Sequence, residues 1–269
     1  MRRIDFALLA ATTLLPSALA GQASPAPMPA SPSLKVDATL VTPVTELTTA
    51  QITAMQKKLA DWPQLERYRA ANAALPAPAP GEQRVVFYGD SITDAWAGPK
   101  NSATFFPGKN YIGRGISGQT TPQMLVRFQQ DVVALHPAAV VVLAGTNDLA
   151  GNTGLSTQEM IEDNIRSMAD IARANGIRFV LASLLPVSDY KWRPGLQPAA
   201  KVRAVNLWMK QFAAERGLVY VDYYSALANA EGGMREGTSN DGVHPTGMGY
   251  TVMMPIAQEG IDKALKGKP

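Results

Sequence analysis

Arg84-Val85-Val86-Phe87-Tyr88-Gly89-Asp90-Ser91-Ile92-Thr93 is the stretch on which the reading of the chain turns. A run of apolar, mostly β-branched or aromatic residues stops abruptly at Gly-Asp-Ser. That is the pattern of a short strand buried on both faces and closed by a turn. Such strands belong to parallel sheets covered by helices, where the reacting groups gather beyond the carboxyl ends of the strands. Ser91 is therefore expected on the rim of a sheet with its hydroxyl accessible. Gly, Asp and Ser are also common turn residues, so the tripeptide takes its meaning from the residues downstream of it.

Beyond this stretch, strand and helix signals alternate. Strands are expected over Asn110 to Gly115, Ala138 to Ala144, Arg178 to Leu184 and Leu218 to Asp222. Helices are expected over Pro122 to Leu135, Thr157 to Asn175, Pro198 to Arg216 and Gly247 to Lys266. Thr121-Pro122 and Ser156-Thr157-Gln158-Glu159 are helix starts, and Asn175-Gly176 and Arg216-Gly217 are helix stops. The alternation predicts an α/β fold with a parallel central sheet of about five strands and helices on both faces.

The N-terminal third reads differently. Met1-Arg2-Arg3, the apolar stretch Phe6 to Ala20 and the small-x-small end Ala18-Leu19-Ala20 make a secretory signal peptide over residues 1–20. The stretch is too short for a membrane span and contains Pro16. Residues 21–47 are an Ala/Pro/Ser-rich segment expected to act as a disordered tether. Residues 48–82 hold a helix capped by Thr48 or Thr49 and a Pro-rich connector, expected to pack outside the main domain or to cover the substrate. The main domain is expected over residues 83–267. Export to the periplasm or the extracellular space, without stable membrane insertion, is the expectation from this reading. The chain has no cysteine, so its stability cannot rest on disulfides. A formal net charge of +3 with scattered basic residues gives no electrostatic case for nucleic acid. Nothing in the sequence specifies an oligomeric state.

Histidine discriminates best, because there are only 2. His136 lies before the Ala138 strand, at the edge of the sheet opposite Ser91. His244, in Asn240-Asp241-Gly242-Val243-His244-Pro245, follows the last strand, so any general base for Ser91 must be His244. Asp241 precedes it by three residues, a spacing at which a turn can fold the carboxylate onto imidazole Nδ1 and leave Nε2 facing the serine. Acyl transfer also needs donors aimed at a developing oxyanion. Asn147, in Gly145-Thr146-Asn147-Asp148, offers a side-chain amide, while Gly118 and Ser91 offer backbone N–H groups. Each of these is also readable as an ordinary turn residue.

Taken together, Gly89-Asp90-Ser91, Gly118, Gly145-x-Asn147-Asp148 and Asp241-x-x-His244, in this order and each at a strand end, resemble the four sequence blocks of the SGNH or GDSL hydrolases. Gly115-Ile116-Ser117-Gly118-Gln119-Thr120-Thr121 also looks like the version in platelet-activating-factor acetylhydrolase subunits and lysophospholipase-like esterases. The resemblance spans about Arg84 to Lys266. It implies a three-layer α/β/α, flavodoxin-like domain. In that domain Ser91 would be nucleophile, His244 base and Asp241 its orienter, with Ser91, Gly118 and Asn147 forming the oxyanion hole. Many members carry Asn where Gly113 stands, which leaves a loop-bracing hydrogen bond either missing or supplied elsewhere.

A rival motif overlaps the second block: Gly113-Arg114-Gly115-Ile116-Ser117-Gly118 satisfies G-x-G-x-x-G and points to a dinucleotide. Against it, Thr121-Pro122 starts the helix only after the last glycine, and no acidic residue stands about twenty residues on, at Leu143-Ala144-Gly145. No metal is expected, since two distant histidines and no cysteine make no usual ligand set. No cofactor is expected either. Asp90, Asp94, Arg114 and Asp148 lie close to the blocks and are candidates to line the pocket, or to make structural hydrogen bonds and salt bridges. Trp96, Leu149, Trp192 and Met248 could form apolar walls, or simply core.

The sequence thus predicts an exported serine ester hydrolase acting on a small-molecule or glycan ester, with short acyl or acetyl groups preferred for want of a long apolar lid. The alternatives are a lysophospholipase or lipase-type acylhydrolase, an acyltransferase using the same triad, a pocket that binds ester without turnover, and, remotely, a dinucleotide-binding protein through Gly113–Gly118.

Overall fold

The computed structural model describes residues 42–98 and 104–267. The expected signal peptide and most of the expected tether lie outside them. Five parallel strands, β1 (Val85–Gly89), β2 (Tyr111–Gly115), β3 (Ala139–Leu143), β4 (Arg178–Ala182) and β5 (Val219–Val221), form one sheet in the order β2-β1-β3-β4-β5. Register brings Gly89 level with Gly115 on one side and Leu143 on the other, so the first three strands end in line. The order reverses at β1, and the crevice beyond the carboxyl ends of β1 and β3 is where such a sheet holds its ligand.

Side chains on β1 alternate between two cores, as the period of a strand requires. Val86 and Tyr88 face a core shared with Met124, Phe128, Ile161, Ile165, Met168 and Met209. Val85 and Phe87 face a second core with Trp96, Phe106, Tyr250, Met253 and Ile261. Nine α-helices are described: α1 (Thr49–Ala60), α2 (Arg69–Ala73), α3 (Ser91–Ala97), α4 (Thr121–Asp131), α5 (Thr146–Leu149), α6 (Gln158–Ala174), α7 (Ala199–Arg216), α8 (Tyr223–Leu227) and α9 (Gly247–Lys266). Helices α4, α6 and α7 cover the first core, and α3, α8 and α9 the second, giving the α/β/α sandwich. Among the described residues no helix is long and apolar enough to cross a membrane.

The short helices α3, α5 and α8 carry too few residues to show a period, and their sequence reads only as turns. The single N-terminal helix expected from the sequence is two helices, because Pro63 cannot continue α1 and Asp61 turns the chain by accepting from the N–H groups of Leu65 (2.8 Å) and Glu66 (3.0 Å). Helix α1 buries no residue. The stretch after it is held by polar bonds to carbonyls: Gln123 donates to Trp62 (2.7 Å), Gln119 to Pro63 (2.7 Å) and Gln130 to Leu65 (2.7 Å). The Tyr68 hydroxyl donates to the carbonyl of Gly115, at the end of β2.

Candidate active site

The site grows from the ends of β1, β2 and β3 and from the loop between α8 and α9. Asp90 directly follows β1 and caps α3, accepting from the Ile92 N–H (2.9 Å), which leaves Ser91 as the first helical residue. An N–H in that position has no intrahelical acceptor and points out of the helix start. After β5 and α8 the chain forms a tight turn around Asp241. One carboxylate oxygen accepts from the backbone N–H groups of Val243 (2.9 Å) and His244 (2.8 Å) and from the Ser239 hydroxyl (3.1 Å). The other lies 2.6 Å from His244 Nδ1. Gly242 between them takes φ +84°, the left-handed conformation that a side chain resists. Buried Val243 pins the turn among Val187, Tyr190 and Ala150, and Thr246 caps α9 directly beyond His244.

His244 Nε2 lies 2.9 Å from Ser91 Oγ, across 153 residues of sequence. With the Nδ1 proton donated to Asp241, Nε2 carries the lone pair and accepts from the Ser91 hydroxyl, the geometry needed to take that proton. His136, exposed with φ +50°, sits at the amino end of β3 and takes no part.

The remaining candidates sort by place. Gly118, exposed at φ +79°, lies on the loop after β2, and Asn147, 3 % exposed, on α5 after β3. The Asn147 amide donates to the Gln119 carbonyl (3.0 Å) and to Asp90 Oδ2 (3.3 Å), the residue next to Ser91. Asp94 braces the Gly118 loop by accepting from the Ser117 N–H (3.2 Å) and hydroxyl (2.8 Å), with Arg67 at 3.7 Å. Asp148 is buried under the site and holds the start of α4 through the Thr121 N–H (3.0 Å) and hydroxyl (2.6 Å). Arg114 turns to the N-terminal stretch, donating to Asn72 (2.7 Å) over the Tyr68 ring. Trp96 is in the core, stacked on Tyr250 at 5.1 Å, and Leu149 packs beneath the site. Trp192 is 44 % exposed, with its ring 6.5 Å from that of His244.

The glycines of the G-x-G-x-x-G stretch have other employment. A Cβ at Gly113 would meet the Ala97 side chain, and one at Gly115 the backbone of Thr93 and Asp94. Both are small so that β2 can close on α3, which leaves no open cradle for a pyrophosphate. The carbonyl ends of β1 and β2 are braced by Arg127, fully buried, which donates to the carbonyls of Gly89 (2.9 Å) and Arg114 (2.9 Å) and to the Gln119 side chain (2.5 Å). Sequence reasoning missed Arg127, Gln119 and Asn152, since polar residues on a helix or in a loop read as surface. Among the described residues no three His, Cys, Asp or Glu side chains cluster as a metal set would.

Charge around the site is shaped by burial. Burial pushes the Asp90 carboxyl up to about 7, opposed by the Ile92 N–H and the His244 charge and reinforced by Asp148. It pushes Asp148 up to about 6 against the Thr121 hydroxyl and N–H. Burial would raise Asp241 too, but the hydrogen bonds from the His244 ring and from the His244 and Val243 N–H groups outweigh it and hold that carboxyl well below the usual range. Asp241 therefore stabilises the fold above the unfolded carboxyl value of ~4, and that contribution is lost as the pH falls further. Asp90 and Asp148 act with the opposite sign: the folded state holds their protons longer than the unfolded chain, so stability falls as the pH rises from ~4 towards ~7. Urea unfolding is expected to show a lower midpoint at about pH 7.5 than at about pH 5. A midpoint that climbs across that interval would contradict the assignment.

The family model described as "GDSL-like Lipase/Acylhydrolase family" matches residues 87–252, which contain Ser91, Gly118, Asn147, Asp241 and His244. A Bacteroides fragilis protein assigned as an acylhydrolase is 42 % identical, with a TM-score of 0.74 over 76 % of this chain and 99 % of that one. A GDSL-like lipase from Bacteroides thetaiotaomicron is 41 % identical, with a TM-score of 0.72 over 75 % of this chain and 98 % of its own. Among curated proteins, the uncharacterized lipoprotein YqeF of Bacillus subtilis is 34 % identical over 82 residues, covering 29 % of this chain and only 33 % of YqeF. With its parallel sheet and the family model matched over residues 87–252, the chain belongs to the GDSL-like lipase/acylhydrolase family and is an ester hydrolase.

Proposed function

We propose that the protein is an exported serine esterase for short acyl esters, acetyl esters of carbohydrate foremost. The observation that carries the mechanism is the line Ser91 Oγ, His244 Nε2, His244 Nδ1, Asp241 Oδ2, with contacts of 2.9 and 2.6 Å. Ser91 attacks the ester carbonyl while His244 takes its proton, and Asp241 stabilises the imidazolium that forms. The oxyanion is received by the N–H groups of Ser91 and Gly118 and by the Asn147 amide, whose longer bond, 3.3 Å to Asp90, is the one it can share. His244 returns the proton to the leaving alcohol, which departs and leaves an acyl-serine. A water deprotonated by His244 then releases the acid and restores the hydroxyl.

A short acyl group on a sugar fits the surroundings. The exposed indole of Trp192 offers a flat apolar face near His244, with the two rings 6.5 Å apart. Export is supported by the residue 1–20 pattern and by the lipoprotein name of the Bacillus relative, although this chain has no cysteine to carry a lipid.

The test is a chain-length series of p-nitrophenyl esters together with acetate release from acetylated xylo-oligosaccharides. The acetyl ester is expected to give the highest kcat/KM, with octanoate at least tenfold lower (about 1.4 kcal/mol). A preference for octanoate would shift the reading to a lipase-type acylhydrolase. Acetyl transfer to an added sugar that outpaces hydrolysis would make the protein a transferase. Activity is expected to fall on the acid side, since a protonated imidazole cannot accept the serine proton.

A further inference from the structure

Resting on the reading of Gly118 and Asn147 as oxyanion donors, we propose that Asn152 is a positioning residue of that oxyanion hole. In this proposal Asn152 fixes which end of the Asn147 amide faces the crevice, and the indole N–H of Trp192 fixes Asn152 in turn.

The chain of bonds has a direction set by chemistry. An indole N–H can only donate. Trp192 Nε1 lies 3.3 Å from Asn152 Oδ1, so that end of Asn152 must be its oxygen. The Asn152 Nδ2 group then faces two acceptors, the Gly118 carbonyl at 3.1 Å and Asn147 Oδ1 at 2.9 Å. With Oδ1 of Asn147 occupied, its Nδ2 must point the other way, towards Asp90 and the Gln119 carbonyl. Rotating Asn152 by half a turn would set its oxygen against two acceptors and its NH2 against the indole N–H, three unfavourable contacts for three favourable ones. Its backbone adds a fourth tie, the Asn152 N–H to the Asn147 carbonyl at 3.0 Å.

One side chain therefore clasps both loops that supply oxyanion donors and orients the amide of one of them. An amide turned the wrong way would present a carbonyl oxygen to a developing negative charge. Because these bonds do not touch the substrate in its ground state, their loss acts on the transition state, and so on kcat more than on KM.

The experiment is steady-state hydrolysis of p-nitrophenyl acetate by wild type, Asn152→Asp, Trp192→Phe, Asn147→Ala and the Asn147→Ala/Asn152→Asp double variant, each checked for an unchanged thermal midpoint. Asn152→Asp keeps the acceptor for Trp192 but has no donor for Asn147. Its kcat is expected to fall by about ten- to a hundredfold, with KM within about threefold of wild type. Trp192→Phe, at an exposed position, keeps a ring without the N–H and is expected to lower kcat in the same direction by less. In the Asn147→Ala background Asn152→Asp is expected to cost little more, because the group it orients has gone.

A wild-type kcat for Asn152→Asp overturns the proposal, and so does a full multiplicative loss in the double variant. A wild-type kcat for Asn147→Ala would instead remove the oxyanion assignment on which the proposal stands. If Asn152→Asp fails to fold, an unchanged kcat for Trp192→Phe overturns the proposal by itself.

Discussion

Ser91→Ala is expected to lower kcat on p-nitrophenyl acetate by about 10⁴- to 10⁶-fold, with the circular dichroism spectrum and the thermal midpoint held near those of wild type. The residue is the first of a short helix and only part-buried, so loss of its hydroxyl removes one bond at the rim and nothing from either core. What goes is the proposed nucleophile. His244→Ala is expected to cost nearly as much, and the double variant little more than either alone, because proton transfer and attack are one step. The residue of activity in these variants should still exceed the uncatalysed rate, since the proposed oxyanion donors remain. A fluorophosphonate probe should label wild type on Ser91 and leave Ser91→Ala unlabelled. A folded Ser91→Ala protein with wild-type turnover would show that another group makes the acyl-enzyme.

Arg127→Met is expected to destabilise the protein by about 3–5 kcal/mol, which for a domain of this size lowers the thermal midpoint by roughly 10 °C or more. Arg127 is the largest fully buried side chain, and its guanidinium is spent entirely on internal partners: Gly89, Arg114, Gln119 and Asp131 (3.1 Å), with its carbon 4.2 Å over the Tyr88 ring. Methionine fills much of the space but leaves two carbonyls, an amide oxygen and a carboxylate in a dry site with a donor removed. Asp131 is then the costly remnant, although Asn72 still donates to it at 2.6 Å. Arg127→Met/Asp131→Leu should therefore be more stable than Arg127→Met, since it removes the buried charge along with its partner. A thermal midpoint for Arg127→Met equal to wild type would show that the carbonyl ends of β1 and β2 do not depend on this ion pair. Because Gly89 precedes the Asp90–Ser91 turn and Gln119 follows Gly118, the single variant should lose activity below its own melting temperature as well.

The long elements and the order of the blocks were legible because each is encoded locally. Val85 to Gly89 is buried on both faces and so is apolar throughout. The helices from Gln158 to Ala174 and from Gly247 to Lys266 carry caps at both ends or at their start, and the sequence placed α9 at the bounds it takes in the fold. The Asp241–His244 turn was legible for the same reason, since three residues and a glycine suffice to fold the carboxylate back.

Trp96 and Arg114 show the limit of proximity in sequence. Both lie within a few residues of a block, yet Trp96 points into the second core and Arg114 towards Asn72, because α3 and β2 turn those positions away from the crevice. Arg127, Gln119, Asn152 and the N-terminal stretch belong to the opposite case. Their partners stand in other parts of the chain, and a polar residue announces neither burial nor a partner by its type.

The sequence alone therefore determined the parallel α/β layering, the strand ends that carry Ser91 and Asn147, and the turn that pairs His244 with Asp241, since all of these derive from period, caps and short spacing. Only the tertiary structure decided that Ser91 Oγ and His244 Nε2 stand 2.9 Å apart, and that Arg127, Asp148 and Asn152 hold the loops around them. Those contacts join residues tens to more than a hundred positions apart, or bonds that form only once a helix has turned, and the register of the folded sheet is what brings them within reach.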